Sequence, residues 1–165
     1  MKIKGSVIDI GGLFWPVRGR TKTWEVPDYK ILDVKPHRKG VTADFVFDIN
    51  KHFGLTQQFD NAFCIEVLDH VWNPVVAFEN MNRLLREGGL LYISANFLFP
   101  HHTGFDCTRY TKSGLAKLLH ETGFGVEYVK PRKAVDGDLE KALRKESKVV
   151  YHPGEIGYFV KAKKK

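Results

Sequence analysis

The 165-residue sequence has only two cysteines, Cys64 and Cys107, which lie far apart and form no Cys-x-x-Cys pair. This scarcity excludes a disulfide framework and a zinc ribbon. The sequence also has no apolar run near the roughly 18 residues that a membrane-spanning helix needs. The basic start MKIKG precedes no signal-like stretch. We therefore expect a cytoplasmic protein that makes no membrane contact, with Cys64 as a buried thiol.

Acidic residues are too few to balance the basic ones, and the net charge at pH 7 is +7. The excess of lysine and arginine lies in residues 1–40 and 130–165, and the sequence ends in KAKKK. Basic termini favour an anionic partner such as nucleic acid, nucleotide or acidic lipid. High solubility with a frayed C-terminal tail is the alternative explanation. The content of 43% hydrophobic and 27% charged residues indicates one globular domain over residues 1–165.

Strand-like and helix-like segments alternate along the chain. The apolar, strand-like segments are residues 6–10, 29–34, 43–49, 59–67, 90–98, 124–129 and 156–162. Two clear helices are expected over residues 73–89 and 111–124, and a weaker one over residues 138–147. Residues 13–28 carry two prolines and predict a loop with at most one helical turn. Such alternation is typical of an α/β fold with a doubly wound, mainly parallel sheet.

The first predicted helix has recognisable ends. Asn73 is the expected N-cap, Pro74 takes the first helical position and Gly88 ends the helix. One buried stripe is expected, comprising Val75, Phe78, Met81 and Leu85.

The second predicted helix has Thr111 as its N-cap and Gly123 as a left-handed stop. Its inward-facing residues are expected to be Leu115, Leu118 and Leu119.

Polar residues follow several of the predicted strands, where an open parallel sheet binds its ligands. They are Asp9, Gly11, Gly12, Asp33, Asp48, Glu66, Asp69 and His70. Glycine lets the backbone approach a ligand closely, and a carboxylate can accept both hydroxyls of a ribose. The ordered set predicts a ligand that contains a nucleoside.

Two longer stretches resemble a known family. Residues 59–97, FDNAFCIEVLDHVWNPVVAFENMNRLLREGGLLYISANF, are similar to the core of class I S-adenosylmethionine-dependent methyltransferases, particularly the broad small-molecule type. That family runs from a strand and an acidic residue through a helix that ends in Gly-Gly to the next strand. Residues 100–124 resemble the family's segment after that strand. The resemblance implies a Rossmann-like sheet with an antiparallel C-terminal strand, and the cofactor S-adenosylmethionine.

The resemblance also assigns cofactor contacts position by position. The residues facing the methionine part would be Asp9, Gly11, Gly12, Glu66 and Val67. The residues facing the nucleoside would be Asp33 at the ribose hydroxyls, and Asp48 and Ile49 at the adenine.

The chain departs from the family's pattern in its first loop. The family usually has acidic-x-Gly-x-Gly-x-Gly, whereas Leu13 and Trp15 occupy the second and third glycine positions here. Their side chains would block the cofactor, or the loop takes another path around it. The first strand starts about six residues into the sequence, so we expect an abbreviated N-terminus without the helices that usually cover the site. We therefore expect an open site, or a site completed by another copy of the chain in a homo-oligomer.

The candidates for acid–base catalysis are His70, His101 and His102. A contact at the entry of the next helix is the simpler role for His70. Adjacent histidines project in different directions, so a metal site with Asp106 and Cys107 is disfavoured and no metal is expected. Asp106 is instead expected to pair with Arg109, three positions further along the chain.

Three aromatic residues, Phe14, Trp15 and Trp24, surround the altered loop. They would form a lid over adenine or substrate, or they would close the edge of the core.

The leading hypothesis is a methyltransferase that moves a methyl group from S-adenosylmethionine to an unidentified acceptor. The alternative is a non-catalytic subunit of the same fold that binds a partner, such as RNA, through its basic ends. A nicotinamide dehydrogenase is disfavoured, because its glycine turn should open a helix directly and no helical pattern follows Gly12.

Overall fold

The architecture is a seven-stranded sheet with two helices and two small two-stranded ribbons. The computed structural model describes residues 2–38, 40–55, 57–99, 104–133 and 155–165. The strands are β1 Lys2–Lys4, β2 Val7–Ile10, β3 Thr23–Glu25, β4 Tyr29–Asp33, β5 His37–Arg38, β6 Val41–Thr42, β7 Phe45–Val46, β8 Phe59–Cys64, β9 Leu85–Asn96, β10 Phe124–Lys133 and β11 Glu155–Lys164. The helices are α1 Pro74–Leu84 and α2 Lys112–Glu121, and a 3-10 turn covers Leu68–His70.

The main sheet has the strand order β10-β11-β9-β8-β2-β4-β7. Strands β7, β4, β2, β8 and β9 are parallel neighbours, whereas β11 runs antiparallel to both β9 and β10. This arrangement confirms the predicted α/β class, with a mainly parallel Rossmann-like sheet and an antiparallel C-terminal strand. None of the helices in the described ranges is both long and apolar enough to cross a bilayer.

The main core lies between the sheet and both helices. Alternate residues of β8 and β9, such as Ala62 and Ile93, face Phe78 and Met81 of α1 and Leu115 of α2. All five side chains are buried. Strands buried on both faces read as nearly continuous apolar runs, which is why the sequence predicts them well.

The opposite face of the sheet is covered by a ribbon that the sequence does not predict. Strands β1 and β3 pair in parallel, with Ile3 opposite Trp24. Ile3 and Trp24 pack with Val7 of β2, Phe63 of β8 and Tyr92 of β9. The segment expected to be a loop with one helical turn therefore supplies a short strand that shields this face from water.

Helix α1 differs from its prediction. The buried stripe comprises Ala77, Phe78, Met81 and Leu84, whereas Val75 is half-exposed. The helix ends at Leu84 and not near Gly88, because Leu85 already pairs with Phe59 as the first residue of β9. An apolar residue at the end of a helical pattern can equally well belong to the next strand, and Leu85 does so here.

The segment that leads into α1 is held by another loop. Asn73 makes no side-chain capping hydrogen bond, contrary to the prediction. Asn50 accepts instead through Oδ1 from the backbone amides of Trp72 and Asn73 at 2.9 and 3.0 Å. The amide of Asn80 donates to the carbonyl of Ile49 at 2.9 Å. Helix α1 and the loop after β7 are thus held together by two asparagines.

Helix α2 has the predicted ends. The hydroxyl of Thr111 accepts from the backbone amide of Gly114 at 3.1 Å, and Gly123 has a φ of +84°. Leu115 and Leu119 are buried, and Leu118 packs partly buried against the same core.

The basic C-terminus is part of the sheet and not a frayed tail. Lys161 pairs with Glu127 of β10 at 2.7 Å. Lys164 pairs with Glu87 at 3.1 Å and donates to the carbonyl of Leu85 at 3.0 Å. Two charges of the KAKKK sequence are therefore partly neutralised within the fold. The helix predicted over residues 138–147 lies outside the described residues.

Candidate cofactor site

The predicted site residues gather at the edge formed by the carboxyl ends of the parallel strands. The amide of Gly11 donates to the carbonyl of Leu32 at 2.8 Å, so the loop after β2 lies beside the end of β4. Asp33, at that end, is in register with Val46 of β7. Parallel strands end on the same side of a sheet, which is the edge where open α/β sheets bind their ligands.

The loop after β2 touches the loop after β8 directly. Gly11 has a φ of +77°, and a Cβ atom added there would lie 2.3 Å from Cγ2 of Val67. Only glycine fits this position, because it accepts a positive φ and leaves room for the valine methyl. The two predicted contacts of the methionine moiety, Gly11 and Val67, are thus neighbours in the structure.

Asp9 fixes the path of the first loop from inside the fold. Its side chain is buried, and Oδ2 accepts from the backbone amide of Val17 at 2.8 Å and from the hydroxyl of Tyr29. A Cβ at Gly12 would lie 2.7 Å from the carboxyl carbon of Asp9. Burial raises the pKa of Asp9 to about 6, although these two hydrogen bonds act in the opposite direction.

The residues that replace the family's glycines are accommodated by the fold. Leu13 is buried in a small apolar cluster with Ile31 and Ala43. Trp15 lies at the surface with 64% of its area exposed. The chain from Gly12 onward therefore crosses the side of β4, which agrees with the expectation of an altered loop path.

The three aromatic residues around this loop have different roles. Trp24 packs partly buried against the ribbon-side core, with its ring 5.9 Å from that of Tyr29. It closes the edge of the core, as one of the two predictions had it. Phe14 and Trp15 do not, because 48% and 64% of their areas are exposed.

The carboxylates after β4 and β7 are partly exposed and make only local contacts. Asp33 accepts from the backbone amide of Lys35 at 3.2 Å. Asp48 accepts from the backbone amide and the side-chain amide of Asn50 at 3.0 and 2.9 Å. Ile49 is 5% exposed and belongs to the main core. Asp33 thus presents a carboxylate at the edge, whereas Asp48 also orients Asn50, which binds the backbone just before α1.

Glu66 stands at the end of β8 in a strained conformation. Its φ of +56° lies in the left-handed region, which non-glycine residues rarely adopt. Its backbone amide donates to Oγ of Ser94 at 2.7 Å, and Ser94 donates back to Oε1 at 2.7 Å. Arg132 of β10 donates to the same Oε1 at 2.7 Å and to Oδ1 of Asn96 at 2.9 Å. The surrounding network thus holds the carboxylate in place.

His70 belongs to the same edge, one turn beyond Glu66. Its Nδ1 contacts the backbone carbonyl of Phe105. A carbonyl can only accept, so Nδ1 donates in this contact, and Nε2 lies 4.0 Å from Oδ2 of the buried Asp69. His101 and His102 lie outside the described residues. Within the described ranges, no three side chains of the metal-binding types cluster together.

The segment before α2 docks on the 3-10 turn. Asp106 and Arg109 form the predicted pair, with Nη2 donating to Oδ2 at 2.6 Å, and this hydrogen bonding raises the pKa of Arg109. The backbone amide of Cys107 donates to the carbonyl of Asp69 at 2.7 Å. A depression of about 260 Å³ opens here, lined by Phe99, Asp106, Cys107, Thr108 and Arg109.

Sequence reasoning missed the residues that hold Glu66. Ser94, Asn96 and Arg132 form its network, and none of them lies near Glu66 in the sequence. A signal for two of them exists. Ser94 and Asn96 are polar residues at period two within an otherwise apolar strand, which marks one face of its carboxyl end. The partly exposed Arg132 gives no such signal.

Comparisons with known proteins agree with this geometry. Residues 35–93 match the family model described as a methyltransferase domain. The ubiquinone biosynthesis O-methyltransferase of Glaesserella parasuis serovar 5 (strain SH0165) is 49% identical over 39 residues. That match spans 24% of this chain and 16% of the relative's length.

Solved structures share the fold over nearly the whole chain. An S-adenosylmethionine-dependent methyltransferase from Mesorhizobium loti has a TM-score of 0.69 at 17% identity, covering 98% of this chain and 91% of that one. The 1,6-didemethyltoxoflavin-N1-methyltransferase of Burkholderia thailandensis, solved with that compound and S-adenosylhomocysteine, has a TM-score of 0.66 at 17% identity. It is matched over 98% of this chain and 71% of its own. The family model matches residues 35–93, and the solved structures share the fold of nearly the whole chain, so both agree with the resemblance to class I S-adenosylmethionine-dependent methyltransferases.

Proposed function

We propose that residues 1–165 act as one domain that transfers a methyl group from S-adenosylmethionine to an acceptor not yet identified. The observation that carries the proposal is the direct contact between Gly11 and Val67 at the carboxyl edge of a methyltransferase-type sheet. Carboxylates stand at the same edge on both sides of that contact. Carboxylates on both sides of two loops that meet at this edge suit a ligand that has both a nucleoside and an amino acid part.

The residues present fit this cofactor. Gly11 and Val67 are neighbours at the edge of the sheet, and Asp33 supplies a partly exposed carboxylate for ribose hydroxyls. Asp48 with Ile49 would border the adenine, and Glu66 with Val67 the methionine part. The buried carboxylate of Asp9 acts through Gly12 and Val17, by fixing the loop. When bound, the cofactor supplies a methyl group on a positively charged sulfur.

The chain's own residues would then orient the acceptor and hold its proton. Methyl transfer depends mainly on alignment of the nucleophile with the methyl group, so positioning matters more than acid–base catalysis. His70 is our candidate base for an acceptor that loses a proton, because it lies at the same edge of the sheet as Glu66, in the 3-10 turn after β8. His101 and His102 remain sequence-based candidates for the same role.

We place the acceptor on the side of the depression lined by Asp106 and Arg109, next to the 3-10 turn that carries His70.

Three further predictions concern the protein's surroundings. We predict that a second copy of the chain completes an open site, that an anionic partner binds the basic termini, and that the protein is cytoplasmic. Size-exclusion chromatography with light scattering would test the first. Cell fractionation would test the last.

Calorimetric titration with S-adenosylmethionine and S-adenosylhomocysteine tests the cofactor proposal. The informative variant is Asp33→Ala, because it removes the carboxylate proposed for the ribose and leaves the buried core untouched. The matched control is Asp44→Ala, a partly exposed aspartate whose side chain contacts Lys30 and the amide of Ile31.

We expect micromolar binding of both ligands to the wild type and to Asp44→Ala, with at least tenfold weaker binding to Asp33→Ala. The loss corresponds to about 1.4 kcal/mol, the size of a charge-assisted hydrogen bond. The proposal is wrong if the folded wild type binds neither ligand. Equal affinities in the two variants would remove Asp33 from the site.

A further inference from the structure

An aromatic–arginine surface lies on the altered loop and its neighbour, and methyl transfer gives it no task. It comprises Phe14, Trp15, Arg18, Arg20 and Arg38. Phe14 and Trp15 are exposed, with ring centroids 5.3 Å apart and planes inclined by 53°. Two large exposed aromatic side chains next to each other are costly in water unless something else covers them.

A guanidinium accompanies each ring of this surface. Arg38 lies 3.7 Å from the centroid of Phe14, and Arg20 lies 5.7 Å from that of Trp15. Arg18 stands 5.6 Å over the partly buried ring of Tyr29. The arginines are thus held by cation–π contacts in a fixed array.

The charges of this array are compensated only in part, since the charge of Arg20 acts on the buried carboxylate of Asp9. Residues 10–24 and 34–43 contain no aspartate or glutamate. In the part of the chain that the structure describes, Arg18, Arg20 and Arg38 form no ion pair, whereas Lys161 and Lys164 at the C-terminus do. The arginine charges of the surface are therefore open to a ligand in a way that those of Lys161 and Lys164 are not.

We infer that the aromatic–arginine surface binds a single-stranded nucleic acid. Exposed rings offer stacking platforms for bases, and guanidinium groups pair with phosphates, which is the combination that single-strand binders use. A lipid surface would favour apolar side chains that protrude beyond the charges, whereas here Arg38 lies against the ring of Phe14 itself. The inference is independent of methyl transfer, because it needs neither the cofactor nor the residues proposed to hold it.

Fluorescence polarisation of a labelled oligo(U) of about 12 nucleotides tests this inference without cofactor present. Arg20→Ala/Arg38→Ala removes two phosphate contacts, and its control Lys117→Ala/Lys130→Ala removes two exposed cations elsewhere. Trp15→Ala removes a stacking platform, and Trp15→Phe restores one. Thermal unfolding midpoints establish that all variants fold.

The two kinds of variant should differ in their salt dependence. For a single strand, the slope of log affinity against log salt is about 0.7 per phosphate contact. We expect the double arginine variant to flatten this slope by about 1.4, and the lysine control to leave it unchanged. Trp15→Ala should bind roughly tenfold more weakly at an unchanged slope, and Trp15→Phe should recover most of the affinity.

The inference is overturned if the wild type does not bind the oligonucleotide, or if the lysine control loses as much affinity as the arginine variant. Binding of phosphatidylserine vesicles with no binding of oligo(U) would also overturn it, by assigning the surface to a membrane.

Discussion

Glu66 and Arg132 form an ion pair across the carboxyl edge of the sheet, with Nη1 of Arg132 2.7 Å from Oε1 of Glu66. The pair ties the end of β8 to the outer strand β10. It closes a network in which Ser94 holds both the backbone and the side chain of Glu66. A residue with a φ of +56° is thereby kept at the centre of the candidate site.

The strain at Glu66 predicts an order of stability between two variants. Glu66→Ala and Glu66→Gly both lose the contacts with Ser94 and Arg132, but only glycine adopts a positive φ without steric cost. We expect Glu66→Gly to be about 1 kcal/mol more stable than Glu66→Ala in urea unfolding. An alanine variant as stable as the glycine variant would show that the backbone at Glu66 is unstrained.

The contact between Gly11 and Val67 predicts a steric clash that a second substitution relieves. Gly11→Ala should lower the free energy of unfolding by about 2–4 kcal/mol, through its positive φ and its overlap with Val67. Val67→Ala in the same chain should recover the part due to overlap, so the two changes will not be additive.

Gly19→Ala is the control for the Gly11 experiment, because Gly19 has a φ of +73° with no atom near its would-be Cβ. Gly19→Ala should lower the free energy of unfolding by only about 1 kcal/mol. If Val67→Ala gives no recovery in the Gly11→Ala chain, the two loops are not in contact.

Asp9 predicts a pH dependence of stability. Its pKa is raised to about 6 in the fold against an unfolded value of 3.8, so the folded state holds the proton more tightly. The stability that comes from this proton is present below pH 4 and is lost as pH rises through 6. By linkage, the loss should be roughly 2–3 kcal/mol.

Asp9→Asn isolates this effect because it removes the group that titrates. Both donors bind the same oxygen of Asp9, Oδ2, and the side-chain oxygen of asparagine can accept both hydrogen bonds. The unfolding free energy of the wild type relative to Asp9→Asn should fall between pH 4 and pH 7 in urea titrations. A difference that rises or stays constant over this range would contradict the burial of an ionisable Asp9.

The sequence predicts the central sheet and the position of the site because their signals are local. Residues 90–96 are apolar at nearly every position, which indicates a strand buried on both faces. The polar residues that follow each strand mark one edge of the sheet once its strands are parallel. Thr111 caps α2 through an amide three residues away, so its role is readable from the spacing.

Other features depend on residues that are distant in sequence, and these were not predictable. Asn50 holds the backbone just before α1 from 23 residues away. Strands β1 and β3 are too short to show a period, and they form only because each pairs with the other over the sheet. Arg132 reaches Glu66 from a strand added after α2.

The most direct test of the central claim, a cofactor site at the carboxyl edge of the sheet, is hydrogen exchange with and without saturating S-adenosylhomocysteine. We predict slower exchange at the amides of residues 9–15, 33–35, 48–50 and 66–70. Exchange at the end of β10 where Phe124 pairs with Lys164 should stay unchanged, since it lies opposite the end that carries Arg132. Protection confined to other segments, or none at any ligand concentration, would contradict the account.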